Sequence, residues 1–480
     1  MNVFVIGKII GIALGIEAAL MVLPLMFTLY YGEKALPFLI PMAVGAVLCF
    51  ILTRTGRRDN KLMSKEGFVS TGLTWIVMSL VGMLPFMICG AVTNPFDAFF
   101  ETVSGFTTTG SSILTDIEAL PKGVLVWRSF THWIGGMGIL VFMSAIMHFG
   151  NGSQMNLIKA ESPGPVVSKL LPKAGDTARI LYIIYTGLTL ITLGALLILK
   201  MPFYDALCIT FGAAGTGGFG VLNSSCADYT TAQQVVITVA MMAFGINFSF
   251  YFLLLFKKFS QAFHMEEVWL YSGIILTAIA LISIDLMVHN GADSPFMTIH
   301  NAAFHVGSIM TTTGFAIDDI NKWPHLSQGI IVVLMLCGAC AGSTGGGFKV
   351  SRLLLMFKAF VRDLALQLHP YMIKKVHYEG KVIDEKIIKT TGIYTFIYCI
   401  VMIVSVLLIA PEGKDWSTTI TSVIATFNNI GPGIGINGTT GNYESFSNFS
   451  KLVLSADMLI GRLEIFPILA LFRKETWRRF

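Results

Sequence analysis

The chain has 480 residues, of which 54% are apolar and only 13% charged, with a formal charge of +5 and a mean hydropathy of +0.72. Soluble domains carry roughly 25% charged and about 45–50% apolar residues, so a water-dispersed globular protein is excluded and the bilayer is the expected solvent. Seven scattered cysteines, most inside apolar segments, give no disulfide framework.

In chain order, Met1–Tyr31 is apolar almost at once and lacks the basic start and small-residue cleavage pattern of a signal peptide. It is expected as a retained first helix, followed by a second over Pro37–Leu52. The runs Ile180–Leu199, Val236–Phe256, Tyr271–Val288 and Gly392–Ala410 are each near the ~20 residues that cross about 30 Å of hydrocarbon. Basic residues gather in alternate loops: Arg54, Arg57, Arg58, Lys61 and Lys65; Lys159, Lys169, Lys173 and Arg179; Lys257 and Lys258; Lys349 to Lys389; and Arg473 to Arg479. The intervening loops carry Asp116, Glu118, Asp228, Asp318, Asp319 and Glu444. The positive-inside rule then puts both termini in the cytoplasm and makes the number of crossings even.

A phrase repeats through this framework. Thr107-Thr108-Thr109-Gly110-Ser111 returns as Thr311-Thr312-Thr313-Gly314-Phe315, with Gly215-Thr216-Gly217-Gly218-Phe219 between them and Asn428-Asn429-Ile430-Gly431-Pro432 near the end. Each follows a short segment that opens on a turn signal: Asn94-Pro95-Phe96-Asp97, Pro202-Phe203-Tyr204-Asp205, Ser294-Pro295-Phe296 and Asp415-Trp416-Ser417. Segments of about 10–14 residues are too short to span and read as re-entrant half-helices. The predicted fold is an all-α membrane protein: four pseudo-repeated helix–pore helix–loop–helix units around a central pore, plus two N-terminal helices. The expected organisation is 1–66 for those two helices, 67–179 for unit 1 and 180–265 for unit 2. Unit 3 is 266–386, with a broken second helix and a cytoplasmic segment, and unit 4 is 387–480.

Irregular backbone survives at membrane depth only where it is buried in protein or lines a water-filled cavity. A ring of backbone carbonyls can replace the hydration shell of a cation, and glycine permits the positive φ that turns carbonyls inward. No carboxylate lies inside the four phrases, which disfavours Ca²⁺ and Mg²⁺ and points to K⁺, with Na⁺ as the neighbouring choice. Ordinary glycine-rich turns are the competing reading. Farther on, Gly342-Ser343-Thr344-Gly345-Gly346-Gly347 should break a helix starting near Gly329, because each glycine costs ~1 kcal/mol relative to alanine. The extended strand there would lie beneath the four loops and obstruct the path; a packing kink is the alternative.

At these residues the chain resembles the bacterial TrkH/TrkG/KtrB potassium uptake family, over nearly its whole length. The resemblance is carried by Ser104-Gly105-Phe106-Thr107-Thr108-Thr109-Gly110, Arg128-Ser129-Phe130-Thr131-His132-Trp133-Ile134-Gly135-Gly136-Met137-Gly138, Asn428-Asn429-Ile430-Gly431-Pro432-Gly433 and Gly461-Arg462-Leu463-Glu464. It implies a selectivity filter in which Gly110, Gly218, Gly314 and Gly431 are the key glycines. Thr108, Thr109, Thr216, Gly217, Thr312, Thr313, Asn429 and Ile430 would supply the neighbouring carbonyls. It further implies that Gly342 to Gly347 form an intramembrane gate and that Arg462 raises a barrier to cations. An ion pair of Arg462 with Glu464 or Asp457 is the structural alternative. The implied setting is the bacterial cytoplasmic membrane, with K⁺ or Rb⁺ as the transported ion and a homodimer as the assembly. A cytosolic TrkA- or KtrA-type subunit would bring the regulatory nucleotide, with no cofactor in this chain, no enzymatic activity and no nucleic acid. His132, Asp205, Asp285 and His305 read as packing or hydrogen-bonding residues. Gly342 to Lys349 lacks the ending and the preceding strand of a phosphate loop, and Cys337-Gly338-Ala339-Cys340 has redox spacing without a redox fold. An organic-solute transporter would show two-fold repeats and a polar pocket. A membrane enzyme would show a metal cluster or an activated nucleophile, and the helices carry neither pattern.

Overall fold

A computed structural model describes residues 2–54, 64–138, 174–290 and 294–477. The basic positions Arg57, Arg58, Lys61, Lys159, Lys169, Lys173, Arg478 and Arg479 lie outside the described residues.

Two helices open the chain, α1 (Val3–Tyr30) and α2 (Leu36–Arg54). They form a close hairpin in which a methyl added at Gly15 would stand 2.7 Å from Cys49 Sγ and one at Gly45 3.1 Å from Ala18 Cβ. Small residues of this kind let helix backbones approach where no hydrophobic force drives association. Four units follow. The first comprises α3 (Ser64–Gly82), the short helix α4 (Pro95–Phe106) and α5 (Lys122–Met137). The second has α6 (Ala174–Ile198), α7 (Phe203–Gly215), α8 (Thr231–Phe244) and α9 (Phe248–Leu255). The third has α10 (Glu266–Asn290), α11 (Pro295–Met310), α12 (His325–Cys337) and α13 (Val350–Leu368), then a small antiparallel hairpin pairing His377–Tyr378 with Lys381–Val382. The fourth has α14 (Glu385–Ile409), α15 (Trp416–Phe427), α16 (Asn448–Arg462) and α17 (Phe466–Phe472).

The short helices begin where the turn signals predict. Pro95 and Pro295 occupy first-turn positions, where the missing N–H is no loss. Asn94 and Asp415 cap α4 and α15 with side-chain oxygens, accepting from Phe96 N and Thr418 N. Their lengths are 12, 13, 16 and 12 residues, so α11 exceeds the expected range yet still falls short of a span. The outer helices are apolar toward the surface, with Ile198 82% and Leu407 64% exposed, as lipid-facing residues are.

Closure around an axis follows from a cyclic packing rule. The helix after each loop packs on the short helix of the next unit: α5 on α7, α8 on α11, α12 on α15, and α16 back on α4. Polar contacts fasten the last joint. Lys451 Nζ meets Asp97 Oδ1 at 2.6 Å and Asn94 Nδ2 donates to Asn448 Oδ1 at 2.8 Å.

The helices after the loops are interrupted more widely than the sequence indicates. The run Val236–Phe256, expected as a single span, is two helices bent by 91° between Phe244 and Phe248. Gly245 lies against Thr311 and Tyr271, while Asn247 caps α9 by accepting from Ser249 N. In unit 3, α12 starts at His325 and stops at Cys337, and Gly338 takes φ 74°, so the break precedes Gly342. In unit 4 the chain turns at Glu464 and Ile465, with φ of 55° and 68°.

Candidate functional site: four loops on one axis

Each short helix ends in the same hydrogen-bond pattern. Thr108 N donates to Gly105 O at 3.2 Å and Thr109 N to Ser104 O at 2.9 Å. The same pair recurs as Thr216 N to Ala213 O and Gly217 N to Gly212 O, then as Thr312 N to Ile309 O and Thr313 N to Ser308 O. Asn429 N to Thr426 O and Ile430 N to Ala425 O complete the set. This is the Schellman helix end, which normally places glycine at the left-handed position. Here that position holds Thr108, Thr216, Thr312 and Asn429, with φ between 54° and 60°. A left-handed non-glycine residue costs about 1–2 kcal/mol, and a β-branched one is an outlier, so strain of this kind marks a site.

Two residues later Gly110, Gly218, Gly314 and Gly431 have φ of 83°, 80°, 87° and 98°. Alternation of left-handed and ordinary residues turns successive carbonyls to one side instead of opposite sides. The amides of each left-handed residue and of the residue after it are consumed by their own helix. A methyl on Gly110 would overlap Gly217 O, one on Gly218 Thr313 O, and one on Gly314 Ile430 O. The circuit closes with Gly431, where the methyl would stand 2.7 Å from Thr109 O. The four glycines and four carbonyls therefore form one ring, with its loosest joint between the fourth loop and the first.

Side chains brace the ring from behind. Thr107 Oγ1 and Thr109 Oγ1 are 2.7 Å apart, as are Thr311 Oγ1 and Thr313 Oγ1. Asn429 Nδ2 donates to Thr109 Oγ1 at 2.9 Å and to Met458 O at 3.0 Å. Tyr443 and Ser111 both donate to Gly431 O. A buried ion pair backs the first two loops: Arg128 Nε meets Glu101 Oε1 at 2.7 Å, and Arg128 Nη1 donates to Gly220 O. Glu101 also accepts from Ser112 Oγ and Ile113 N.

Directly beneath lies the glycine loop between α12 and α13. Gly346 N donates to Thr312 Oγ1 at 2.7 Å, and a methyl at Gly346 would stand 2.6 Å from Asn428 O. Gly342 and Gly347 take φ of 69° and 79°, and Ser343 Oγ donates to Cys340 O. A methyl at Gly345 would stand 2.8 Å from Thr311 O, and Thr344 Oγ1 donates to Phe244 O. Arg462 lies across this loop, donating from Nη1 to Thr344 O at 2.8 Å and from Nη2 to Gly135 O and Gly136 O at 2.5 and 2.8 Å. The acids considered as its ion-pair partners are themselves engaged: Glu464 pairs with Arg352, and Asp457 accepts from Ser405 Oγ. On the far side of the glycine loop a cavity of about 1020 Å³ opens, lined by Gly345 to Gly347, Arg462, Lys349, Glu267 and Glu464.

Among the weaker candidates, Asp285 ties α10 to α12 by accepting from Ser327 N and Oγ, and His305 Nε2 accepts from Asp318 N. The sequence alone singles out neither Glu101 nor Glu267, and marks Arg128 only as the start of a family phrase. A carboxylate midway along the half-helix, beyond the first turn where Asp97 sits, was the available signal for Glu101.

Half-helices converging on a ring of carbonyls within a bundle of apolar spans are the architecture of a membrane cation-transport protein. The TrkH family, described as cation transport proteins, matches residues 37–270 and 274–478, and the chain belongs to it. It is 34% identical to the Trk system potassium uptake protein TrkH of Salmonella typhimurium over 98% of this chain and 99% of that one. With the TrkG protein of Escherichia coli it shares 26% identity over 99% of each chain. The crystal structure of the potassium transporter TrkH from Vibrio parahaemolyticus superimposes with a TM-score of 0.89 at 28% identity, covering 100% of both chains.

Proposed function

We propose that this chain takes up K⁺ across the bacterial cytoplasmic membrane through the ring formed by Thr108–Gly110, Thr216–Gly218, Thr312–Gly314 and Asn429–Gly431. The single observation that carries the reading is the cyclic contact of each glycine with the neighbouring loop's carbonyl. Such a ring offers fixed neutral oxygens to a dehydrated monovalent ion and no carboxylate to a divalent one. Each half-helix directs its C-terminal partial negative charge, about half an elementary charge, at the same place.

In this reading Gly342 to Gly347 is the gate. It sits against the inner ends of the third and fourth loops, and Arg462 holds it there through Thr344 O. Arg462 would also place a fixed positive charge on the path, which opposes cation entry. Residues 1–66 form the accessory hairpin, and 67–179, 180–265, 266–386 and 387–480 form the four units. Both termini lie in the cytoplasm, where a dimer of the chain meets a TrkA- or KtrA-type nucleotide-binding subunit.

The test is Rb⁺ uptake into proteoliposomes containing only the purified chain, with and without an imposed proton gradient. Uptake driven by the Rb⁺ gradient and blocked better by K⁺ than by Na⁺ is the expected result. Equal block by both ions would refute the selective ring.

A further inference from the structure

The second loop lacks the side chains that brace the others. Threonine pairs support the ring carbonyl in loops one and three, and the wholly buried Ile430 does so in loop four. Loop two has Gly215 and Gly217 at the corresponding places. Nothing in the backbone of Gly217 demands glycine, because its φ is not among the positive ones. The obstacle is a neighbour: a methyl at Gly217 would collide with the imidazole of His132 from α5.

His132 is wholly buried, and its ring is held at both ends. Nδ1 lies 2.8 Å from Gly105 O, near the end of the first short helix. Nε2 accepts from Phe219 N, the residue after Gly218, at 3.3 Å. Because Phe219 N can only donate, Nε2 carries the lone pair and Nδ1 carries the proton, giving a neutral ring in one tautomer. The ring also packs on Phe219 with centroids 4.1 Å apart. The imidazole thus bridges the support of the first loop to the far side of the second.

The geometry points to His132 as a positioning residue for the ion pathway: its imidazole replaces the missing side chain of loop two and fixes the position of Gly217 O. The inference rests on the filter reading above. It explains why a histidine stands at this position of α5 and why loop two can do without threonine at position 217.

The experiment is Rb⁺ uptake into proteoliposomes, with inhibition by K⁺ and by Na⁺ measured on monodisperse protein so that yield cancels from the ratio. His132→Ala and Gly217→Ala should each reduce the preference for K⁺ about tenfold, and the double variant should recover most of it, because directly contacting residues couple. Gly215→Ala serves as the control. Its methyl would collide with the His132 backbone oxygen, which truncation of the ring leaves in place, so His132→Ala should not rescue it. A general packing defect would leave the ion preference unchanged and show no such selective rescue. Unchanged preference in His132→Ala, or no rescue of Gly217→Ala, overturns the brace. If His132→Ala does not accumulate, Gly217→Ala alone decides, and wild-type preference in that variant overturns it. Gly314→Ser, in a loop that His132 does not touch, separates the two readings. A response there with silence at His132 and Gly217 rejects only the brace, whereas silence at all three rejects the filter as well.

Discussion

The Arg462 guanidinium and the Thr344 carbonyl are joined at 2.8 Å, so the last helix before the chain's final turn holds the glycine loop of another unit. The same side chain reaches Gly135 O and Gly136 O at the end of α5. One residue thereby links units 1, 3 and 4 beneath the ring. Arg462→Gln keeps a donor but removes the charge and most of the fork. Basal Rb⁺ flux should rise several-fold without loss of K⁺ preference, measured in proteoliposomes at matched protein content.

Deleting Gly345–Gly347 removes the segment packed against Thr312 and Asn428. Flux should increase while the protein remains monodisperse on size-exclusion chromatography. Thr312→Val, which abolishes only the acceptor for Gly346 N, should raise flux by a smaller factor. Normal flux in the deletion would remove this loop from consideration as a gate.

Gly314→Ser adds a side chain where even a methyl would overlap Ile430 O. K⁺ preference over Na⁺ should fall, and because the obstacle is backbone and φ is 87°, thermal stability in detergent should fall with it while the protein stays monodisperse. The corresponding change at Gly431 meets its neighbour at 2.7 Å and should have the milder steric effect.

The pair Glu101–Arg128 is sealed, with side chains 0% and 2% exposed. Arg128→Met strands a carboxylate and should destabilise the protein by about 3–5 kcal/mol. Combining it with Glu101→Gln should restore part of the loss, because the unpaired charge is gone while Ser112 and Ile113 keep an acceptor. Thermal unfolding of the two single variants and the double variant measures this directly.

Much of this arrangement was legible because it rests on backbone signals. The four phrases and their preceding turn signals are local, and Pro95, Pro295, Asn94 and Asp415 mark helix starts in an unambiguous way. Other features depend on contacts remote in sequence. Thr108, Thr216 and Thr312 are ordinary residues until the helix end forces them left-handed, so their strain has no compositional trace. The bend after Phe244 follows from the approach of Gly245 to Thr311, which lies far along the chain. Glu464 looked like a partner for Arg462, yet it pairs with Arg352 from α13, a pairing that only the folded chain creates.

Asp415 supplies the pH-dependent prediction. Hydrogen bonds from Ser417 and Thr418, at the exposed start of α15, pull its carboxyl down to about 2 from the ordinary value of 3.8. A lowered folded-state value stabilises the charged form, so the contribution is complete above about pH 4 and is lost as pH falls toward 2. Asp415→Ala should cost about 1 kcal/mol at pH 7, the usual effect of removing a cap. The gap in unfolding temperature between variant and wild type should narrow between pH 4 and pH 2. A gap that stays constant across that window would show that the carboxylate charge does not contribute.

Each ring glycine faces the carbonyl of the next loop, and the order runs one way, from the first loop to the second, third, fourth and back. The circle therefore has a sense of rotation, like the teeth of a ratchet, although its members are nearly alike. Such an object tolerates a new starting point but not a new order. A chain recut to begin at its second unit would preserve every neighbour relation, whereas exchanging the second unit with the third would disrupt three of the four joints and spare only that between the fourth loop and the first. A change in one loop is therefore met first by the surface of the loop beside it.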